Sequence, residues 1–411
     1  MRFDTIIIGG GLSGLTCGIS LQKRGVKCAI VSAGQSALHF SSGSFDLLSR
    51  LPGGEKVVNP VVSVSKLPES HPYSKFGDDF AKYAQKAKSQ LIECGVEVEG
   101  SEEQNGYHVT PMGVLKPSWL TISDFTRFKG MKDFAGKTLR ILNFSGFLDF
   151  NTKFIATQLE EYGATCSIEN IRLPELDRLR VSPTEMRSTN IAKVLENQTV
   201  FSNLLSLLKN YSIGVDMVVL PAVFGLSSPK LVKVLREEIL STLLMPTMPP
   251  SVAGIRTQQT LRREFERFGG VFMLGDNIIK AEMEGNCVKT VYSVNHGNIG
   301  LSAENFVLAT GSFFSNGLVA RPSGVVEPVF GLDVDYDKNR GAWYDADFFK
   351  AQKYMMFGVA TDVDFHAKKG GKTVDNLYVA GSVLSGFDPI QEGCGAGVAM
   401  LTALKIADNL K

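Results

Sequence analysis

Six cysteines are spread along the chain, at Cys17, Cys28, Cys94, Cys166, Cys287 and Cys394, with no CxxC pair and no Cys/His quartet. That argues against a metal site: neither zinc nor an iron–sulfur cluster has its ligands in this chain alone. Thiols so dispersed, after a start Met with no basic-then-apolar leader, read as the reduced cysteines of a cytoplasmic protein. A surplus of either charge is missing too. With 43 Lys+Arg against 42 Asp+Glu, the formal net charge is +1, and no broad field draws nucleic acid or anionic lipid. Long apolar runs are absent as well: Ile213 to Leu226, the longest away from the N-terminus, carries Asp216 and Pro221 and falls short of the ~20 residues that cross hydrocarbon. Any membrane contact is therefore expected to be peripheral. Repeats, low-complexity tracts and charge runs are not found.

What remains is an ordinary globular composition, 44% hydrophobic and 21% charged, which rules out disorder. At ~150 residues per domain, 411 residues make two to three domains. Asp4 to Ile8 is an apolar, β-branched run that stops at Gly9-Gly10-Gly11, and Leu12, Leu15, Ile19 and Leu21 then recur at helical spacing up to Gly25. Lys27 to Val31 follows as a second strand, completing a βαβ start. From Leu51 to Gly254 the pattern changes to proline-punctuated loops and separate helices, such as Asp78 to Cys94, with strands expected at Thr138 to Phe144 and Asp216 to Pro221. A helix from Thr257 to Phe268 leads into short strands at Ile278 to Met283 and Cys287 to Val294. Late strands are expected at Asn305 to Ala309 and Leu377 to Ala380, with a last helix from about Ala396. The expected fold class is α/β, a Rossmann-like domain with an inserted second domain: residues 1–50, 255–315 and 370–411 form the discontinuous first domain, 51–254 the inserted domain, and 316–369 a cap segment.

Gly9-x-Gly11-x-x-Gly14 lies after a strand and before a helix, the context in which this spacing carries weight. Gly9 permits the tight turn, Gly11 lets the backbone approach a phosphate, and Gly14 lets helix and strand pack closely. The ribose-binding acid usual about 20 residues further on is missing. No acidic residue lies between Gly14 and Asp46, and Ser32 fills the expected slot. A serine offers only a neutral hydrogen bond, and no arginine stands there for a 2′-phosphate. The adenosine half of a dinucleotide thus has a weak grip, which favours FMN, with FAD as the alternative.

Gly9 to Gly14, Ala309-Thr310-Gly311 and Thr373 to Gly381, in this order, resemble the two-dinucleotide-binding-domain flavoproteins, which implies that residues 1–50, 255–315 and 370–411 form a Rossmann-like FAD/NAD(P)-binding flavoprotein domain that holds the flavin and that 51–254 is a substrate or partner domain. Gln35 to Leu47, Pro246 to Arg256, Leu308 to Val319 and Gly381 to Gly397 are more specifically similar to the B-subunit family of anaerobic glycerol-3-phosphate dehydrogenase, across essentially the whole chain. That resemblance implies oxidation of sn-glycerol 3-phosphate to dihydroxyacetone phosphate, with electrons passed through quinone towards fumarate or nitrate. It also implies a complex with a catalytic A subunit and an iron–sulfur, membrane-anchoring C subunit, peripheral on the inner face of the cytoplasmic membrane, and FMN as the flavin of this subunit. The sequence departs from the wider pattern at Ser382, where an aspartate normally holds the ribityl chain. Beyond it, Gly393 and Gly395 lead into the last helix, whose amide groups would stabilise negative charge on a reduced flavin; the plainer reading is a close-packed glycine loop.

Candidate residues are each weighed against a plain reading. Arg256 and Arg321 have the planar fork that grips phosphate, although most arginines are simply solvated. His39 lies near where some related fumarate-reducing flavoproteins attach flavin covalently; beside Ser41, Ser42 and Gly43 it also reads as a hydrogen-bonded histidine lining the cofactor site. His71, His108, His296 and His366 read as surface residues, and Cys394 as a packed thiol. No catalytic base is identified. Three functions remain open: a substrate-oxidising dehydrogenase subunit, a flavin electron relay without its own substrate, and a fumarate-reductase-like flavoprotein.

Overall fold

The structure is a computed structural model that describes residues 1–182 and 184–410. Five parallel strands carry the fold: β1 (Arg2–Ile8), β2 (Cys28–Ser32), β3 (Val271–Leu274), β4 (Leu301–Leu308) and β5 (Lys372–Val379), in the spatial order β3-β2-β1-β4-β5. Their register is the fact that matters for function. Ile8 pairs with Val31 and Leu308, Leu308 pairs with Val379, and Leu274 pairs with Ser32, so the strands end together at one edge. Ile6 and Ile7 are fully buried, as expected of a parallel strand covered on both faces.

Three helices complete this layer: α1 (Leu12–Gln22), α2 (Val252–Arg267) and α3 (Gly395–Asn409), with α1 packed against both others. Helix α2 starts five residues before the expected Thr257, because the Ser251 hydroxyl accepts from the Gly254 amide at 3.0 Å and caps it. Gly254, expected as the last residue of the inserted domain, lies inside this helix and is needed where the helix presses on the Leu38 carbonyl. The expected hairpin forms from Ile278–Glu284 and Cys287–Ser293 and joins β4 antiparallel.

A second, four-stranded parallel sheet runs in the order Thr242–Met245, Met217–Pro221, Thr138–Phe144, Thr165–Ile171. Its two middle strands match the expected ones. The two outer strands were hidden in the sequence: Thr165–Ile171 is a mostly exposed edge strand, with no apolar face to read. Ser44–Phe45, just beyond β2, pairs with Leu120–Ile122, and a hairpin of Gly106–Val109 with Leu115–Ser118 stands close by.

Candidate functional site

The common edge of β1, β4 and β5 brings the three sequence blocks together. Gly9 sits at φ +120°, and a Cβ there would strike the Ala309 carbonyl; a Cβ on Gly14 would strike the Gly9 carbonyl. Both glycines are required by close packing of the chain on itself. Gly11 is different. Its backbone is extended, and a Cβ would meet only Ser36, at 3.7 Å, so nothing in the protein forbids a side chain. Gly11 is the N-cap of α1, where no side-chain cap and no acidic first-turn residue satisfies the free amides. Such an end attracts an anion. Around it the Ser13 Oγ and Thr310 Oγ1 atoms are buried without a hydrogen-bond partner, and Gly381 stands against Ser13, its own amide donating to Thr402 on α3 at 3.1 Å. Gly311 and Ser382 lie on the adjoining turns after β4 and β5. An uncapped helix end with two unpartnered hydroxyls fits the phosphate of a nucleotide cofactor; neither hydroxyl stood out in the sequence, since serine and threonine are too common to signal.

The Ser32 end is more occupied. The hydroxyl of Ser32 donates to the Gly34 carbonyl at 3.0 Å, and its own carbonyl accepts from the amides of Gly275 and Asp276 at 2.8 and 3.1 Å. A buried carboxylate, Asp276, therefore stands beside the slot where β2 has none, supplied by a strand far along the chain. Burial raises its pKa, but hydrogen bonds from Ser293, Asn295, His296 and Asn277 carry it below the usual carboxylate range. With its oxygens so engaged, Asp276 organises the loop at the end of β3.

Residues 36–43 run from the α1 end along α2. The Ser36 hydroxyl donates to Gln258 at 2.9 Å, the Ser251 amide to the His39 carbonyl at 2.8 Å, and the Gly43 amide to Ser41 Oγ at 3.2 Å. His39 is half-buried, which lowers its pKa. Ser42 is half-buried, and Gly43 is packed against Phe125. Gly393 is held against Ser49, and Gly395 opens α3, a second helix whose N-terminus has neither a side-chain cap nor an acidic first-turn residue. The start of α3 is tied to the same segment, through the Gly397 amide and the Asp46 carbonyl at 2.8 Å.

Two expectations need correction. Arg256 is not available to a substrate phosphate. It is 6% exposed, and its guanidinium is committed to the Asp124 carboxylate and to the carbonyls of Phe224 and Gly225. The cavity beside it measures about 30 Å³, room for a water at most. Arg321, by contrast, is exposed on a two-stranded hairpin, away from the glycine turns in sequence and open to solvent. The histidines read as surface residues are not all there either: His71 is 0% and His108 1% exposed.

His71, Glu392 and Cys394 place their ligand atoms within 4.8 Å of one another. The Tyr73 amide donates to His71 Nδ1 at 3.0 Å, so the ring proton sits on Nε2, facing Glu392 Oε2 at 3.0 Å. A protonated nitrogen does not ligate a metal. The cluster is a hydrogen-bonded knot: Glu392 also accepts from the Asp388 amide, and its carbonyl accepts from Ser49 and Arg50. Burial, with Glu392 next, drives the Cys394 thiol pKa well up and keeps it protonated.

His108 has both ring nitrogens without a hydrogen-bond partner, edge-on to Phe125 and beside the backbone of Ser42. Burial lowers its pKa to about 4; the nearby Ser42 backbone, whose approach falls short of a well-formed hydrogen bond, opposes this and Lys116 adds to it. Below pH ~6.5 the unfolded chain takes up a proton that the folded chain refuses, so stability falls as the pH drops from ~6.5 towards 4, by about 3 kcal/mol in all. We expect His108→Leu to flatten that part of the profile and to cost little at pH 7, because two orphaned nitrogens disappear with the ring. Urea midpoints at pH 7 and 5 test this; an unchanged acid loss would contradict it.

Over residues 4–398 the chain matches the family described as FAD binding domain. It is 44% identical to the B subunit of anaerobic glycerol-3-phosphate dehydrogenase from Yersinia enterocolitica, over 100% of this chain and 98% of that one. The B subunit of the same enzyme from Pectobacterium atrosepticum is also 44% identical, over 100% and 99% of the two chains. Among solved structures, E. coli quinol fumarate reductase FrdA aligns over 100% of this chain and 70% of its own, with a TM-score of 0.46 and 8% identity. The 3-ketosteroid-Δ4-(5α)-dehydrogenase of Rhodococcus jostii RHA1, in complex with 4-androstene-3,17-dione, aligns over 99% and 96% with a TM-score of 0.44 and 10% identity. With relatives this similar along its full length, the chain belongs to the B-subunit family of anaerobic glycerol-3-phosphate dehydrogenase, within the FAD binding domain proteins.

Proposed function

We propose that this chain is the flavin-carrying subunit of an anaerobic sn-glycerol-3-phosphate dehydrogenase that yields dihydroxyacetone phosphate, working with a catalytic A subunit and an iron–sulfur C subunit in a complex whose electrons pass to quinone. The observation that carries the reading is the open α1 N-terminus at Gly11 with unpartnered Ser13 and Thr310 beside it. Gly9, Gly11, Gly14, Ser32, Gly311, Gly381 and Ser382 form the cradle; His39, Ser41, Ser42, Gly43, Gly393 and Gly395 line its far end. A bound flavin supplies a two-electron acceptor for hydride. The protein holds the phosphate on the α1 amides, and the α3 N-terminus lends positive potential to the other end of the site. Residues 1–50, 255–315 and 370–411 would make up the flavin-binding unit, 51–254 the substrate or partner unit, and 316–369 a cap. Among the described residues no helix is long and apolar enough to cross a membrane, and attachment to the inner face of the cytoplasmic membrane would come from the partners.

FAD is the cofactor this reading favours, in line with the matched family and with a turn that sits where a pyrophosphate belongs. It replaces the preference for FMN. One observation keeps FMN as the second reading: Asp276 is fully engaged, and Ser32, its proton committed to Gly34, offers an adenosine ribose only a neutral hydroxyl oxygen in place of a carboxylate. Acid extraction of the purified chain followed by mass analysis decides between them. FAD is expected; FMN would mean that the turn receives a terminal phosphate. A chain purified without flavin would overturn the reading as a whole.

A further inference from the structure

The turn that leads into α3 buries two carboxylates. Asp388 is 6% and Glu392 2% exposed, and among the described residues neither has a lysine or arginine within salt-bridge distance. Acids are seldom buried so fully without a cation. These two also share one turn: the Glu392 amide donates to the Asp388 carbonyl at 3.0 Å, and the Asp388 amide to Glu392 Oε1 at 2.9 Å. Burial raises the Asp388 pKa against the amides of Gln391 and Ile390, and the charge of Glu392 adds to the rise. Those amides meet Asp388 Oδ1 at 3.0 and 2.9 Å. An asparagine oxygen would accept from them equally well, so the turn has no need of the charge that Asp388 carries.

Nothing around the turn cancels that charge. His71 accepts from the Tyr73 amide on Nδ1 and meets Glu392 through Nε2, which leaves the imidazole neutral. Burial keeps the Tyr73 phenol and the Cys394 thiol protonated, and Asp46 has its own counter-ion in Lys116. The carboxylates cannot swing away either, because the Glu392 carbonyl is held by the amides of Ser49 and Arg50 at 2.8 and 3.0 Å. Helix α3 opens three residues after Glu392 and borders the phosphate cradle: a Cβ on Gly381 would lie 3.1 Å from the Ser13 hydroxyl, which has no partner, and 3.7 Å from the Ala399 Cα. Negative charge at the start of a helix offsets its positive potential. A flavin beside α3 gains negative charge on reduction, so fixed carboxylates there disfavour its reduced form.

We propose that Asp388 and Glu392 set the potential of the flavin, their buried charges holding its midpoint down so that it gives up electrons more readily. The inference rests on the reading of the chain as the flavin-carrying subunit. The test measures the midpoint potential of the flavin bound to the purified full chain at pH 8, by spectroelectrochemistry, in the wild type, Asp388→Asn, Glu392→Gln and Glu392→Asp. Asp388→Asn keeps its hydrogen bonds and is expected to raise the reduced-to-oxidised ratio at the wild-type midpoint at least about tenfold, a rise of about 30 mV for a two-electron couple. Glu392→Gln is expected to move it the same way, and Glu392→Asp, which keeps the charge, to stay within about threefold of the wild type. The sign separates charge from packing, since a loosened α3 end would stabilise the reduced flavin less and lower the potential. A potential that is unmoved or lowered in Asp388→Asn overturns the proposal and leaves the flavin site standing, and so does a rise in Glu392→Asp equal to that in Glu392→Gln. If Glu392→Gln does not fold, Asp388→Asn alone decides. A wild-type chain without flavin overturns both the proposal and the reading beneath it.

Discussion

Gly11→Asp is expected to give a folded protein without flavin. The position is the N-cap of α1 in extended backbone, where aspartate is among the residues most favoured, since its carboxylate accepts from the free amides of the first turn. Its Cβ meets only Ser36, at 3.7 Å. The fold therefore keeps its stability to within a few tenths of a kcal/mol. The same carboxylate takes the amides a phosphate would use and places a negative charge against it. Losing two hydrogen bonds to a charged group, at ~1.5 kcal/mol or more each, weakens binding by about 100-fold or more. Circular dichroism and flavin absorbance on one sample separate the two effects. A yellow, stoichiometrically loaded variant would contradict the placement of the phosphate; an unfolded variant would contradict the claim that Gly11 is spared for a ligand.

The second large effect concerns Arg256. Removing one partner of a buried ion pair leaves an uncompensated charge and costs about 3–5 kcal/mol, a large part of the 5–15 kcal/mol typical of a domain. Arg256→Ala leaves the Asp124 carboxylate buried and the carbonyls of Phe224 and Gly225 without a donor. Lysine does not substitute, because a point charge cannot serve a carboxylate and two carbonyls at once. Urea unfolding of Arg256→Ala should show the full loss. Unchanged stability with a raised KM for glycerol 3-phosphate would restore Arg256 to the substrate site.

These contrasts show what the chain's residues revealed and what they hid. The central layer was readable because its signals are local: Ile6 to Ile8 is a buried β-branched run, and Gly9, Gly11 and Gly14 are spaced for one turn. Three glycine-bearing blocks far apart in the chain were expected to belong together, and β1, β4 and β5 end side by side. Position in sequence says nothing about what a long polar side chain will meet, so Arg256 was legible as an arginine and not as the partner of Asp124. His108 lies in a polar stretch, and only the packing of Phe125 on its ring shows that it is inside. Asp276 is absent from β2 and reaches the end of that strand from β3; a search for an acid near the glycines passes it by. Helix α2 started early because its cap, Ser251, follows two prolines that look like a loop.

The most direct test of the account is an anaerobic titration of the purified wild-type chain, alone and with its partner subunits, with sn-glycerol 3-phosphate. One flavin per chain is expected, absent from Gly11→Asp, and its oxidised absorbance bleaches as substrate is added to the assembled complex. Bleaching of the isolated chain would assign substrate oxidation to it; bleaching only with the A subunit present would make it a relay within the same enzyme. A chain that carries no flavin, or a flavin that glycerol 3-phosphate leaves oxidised even in the complete complex, would contradict it.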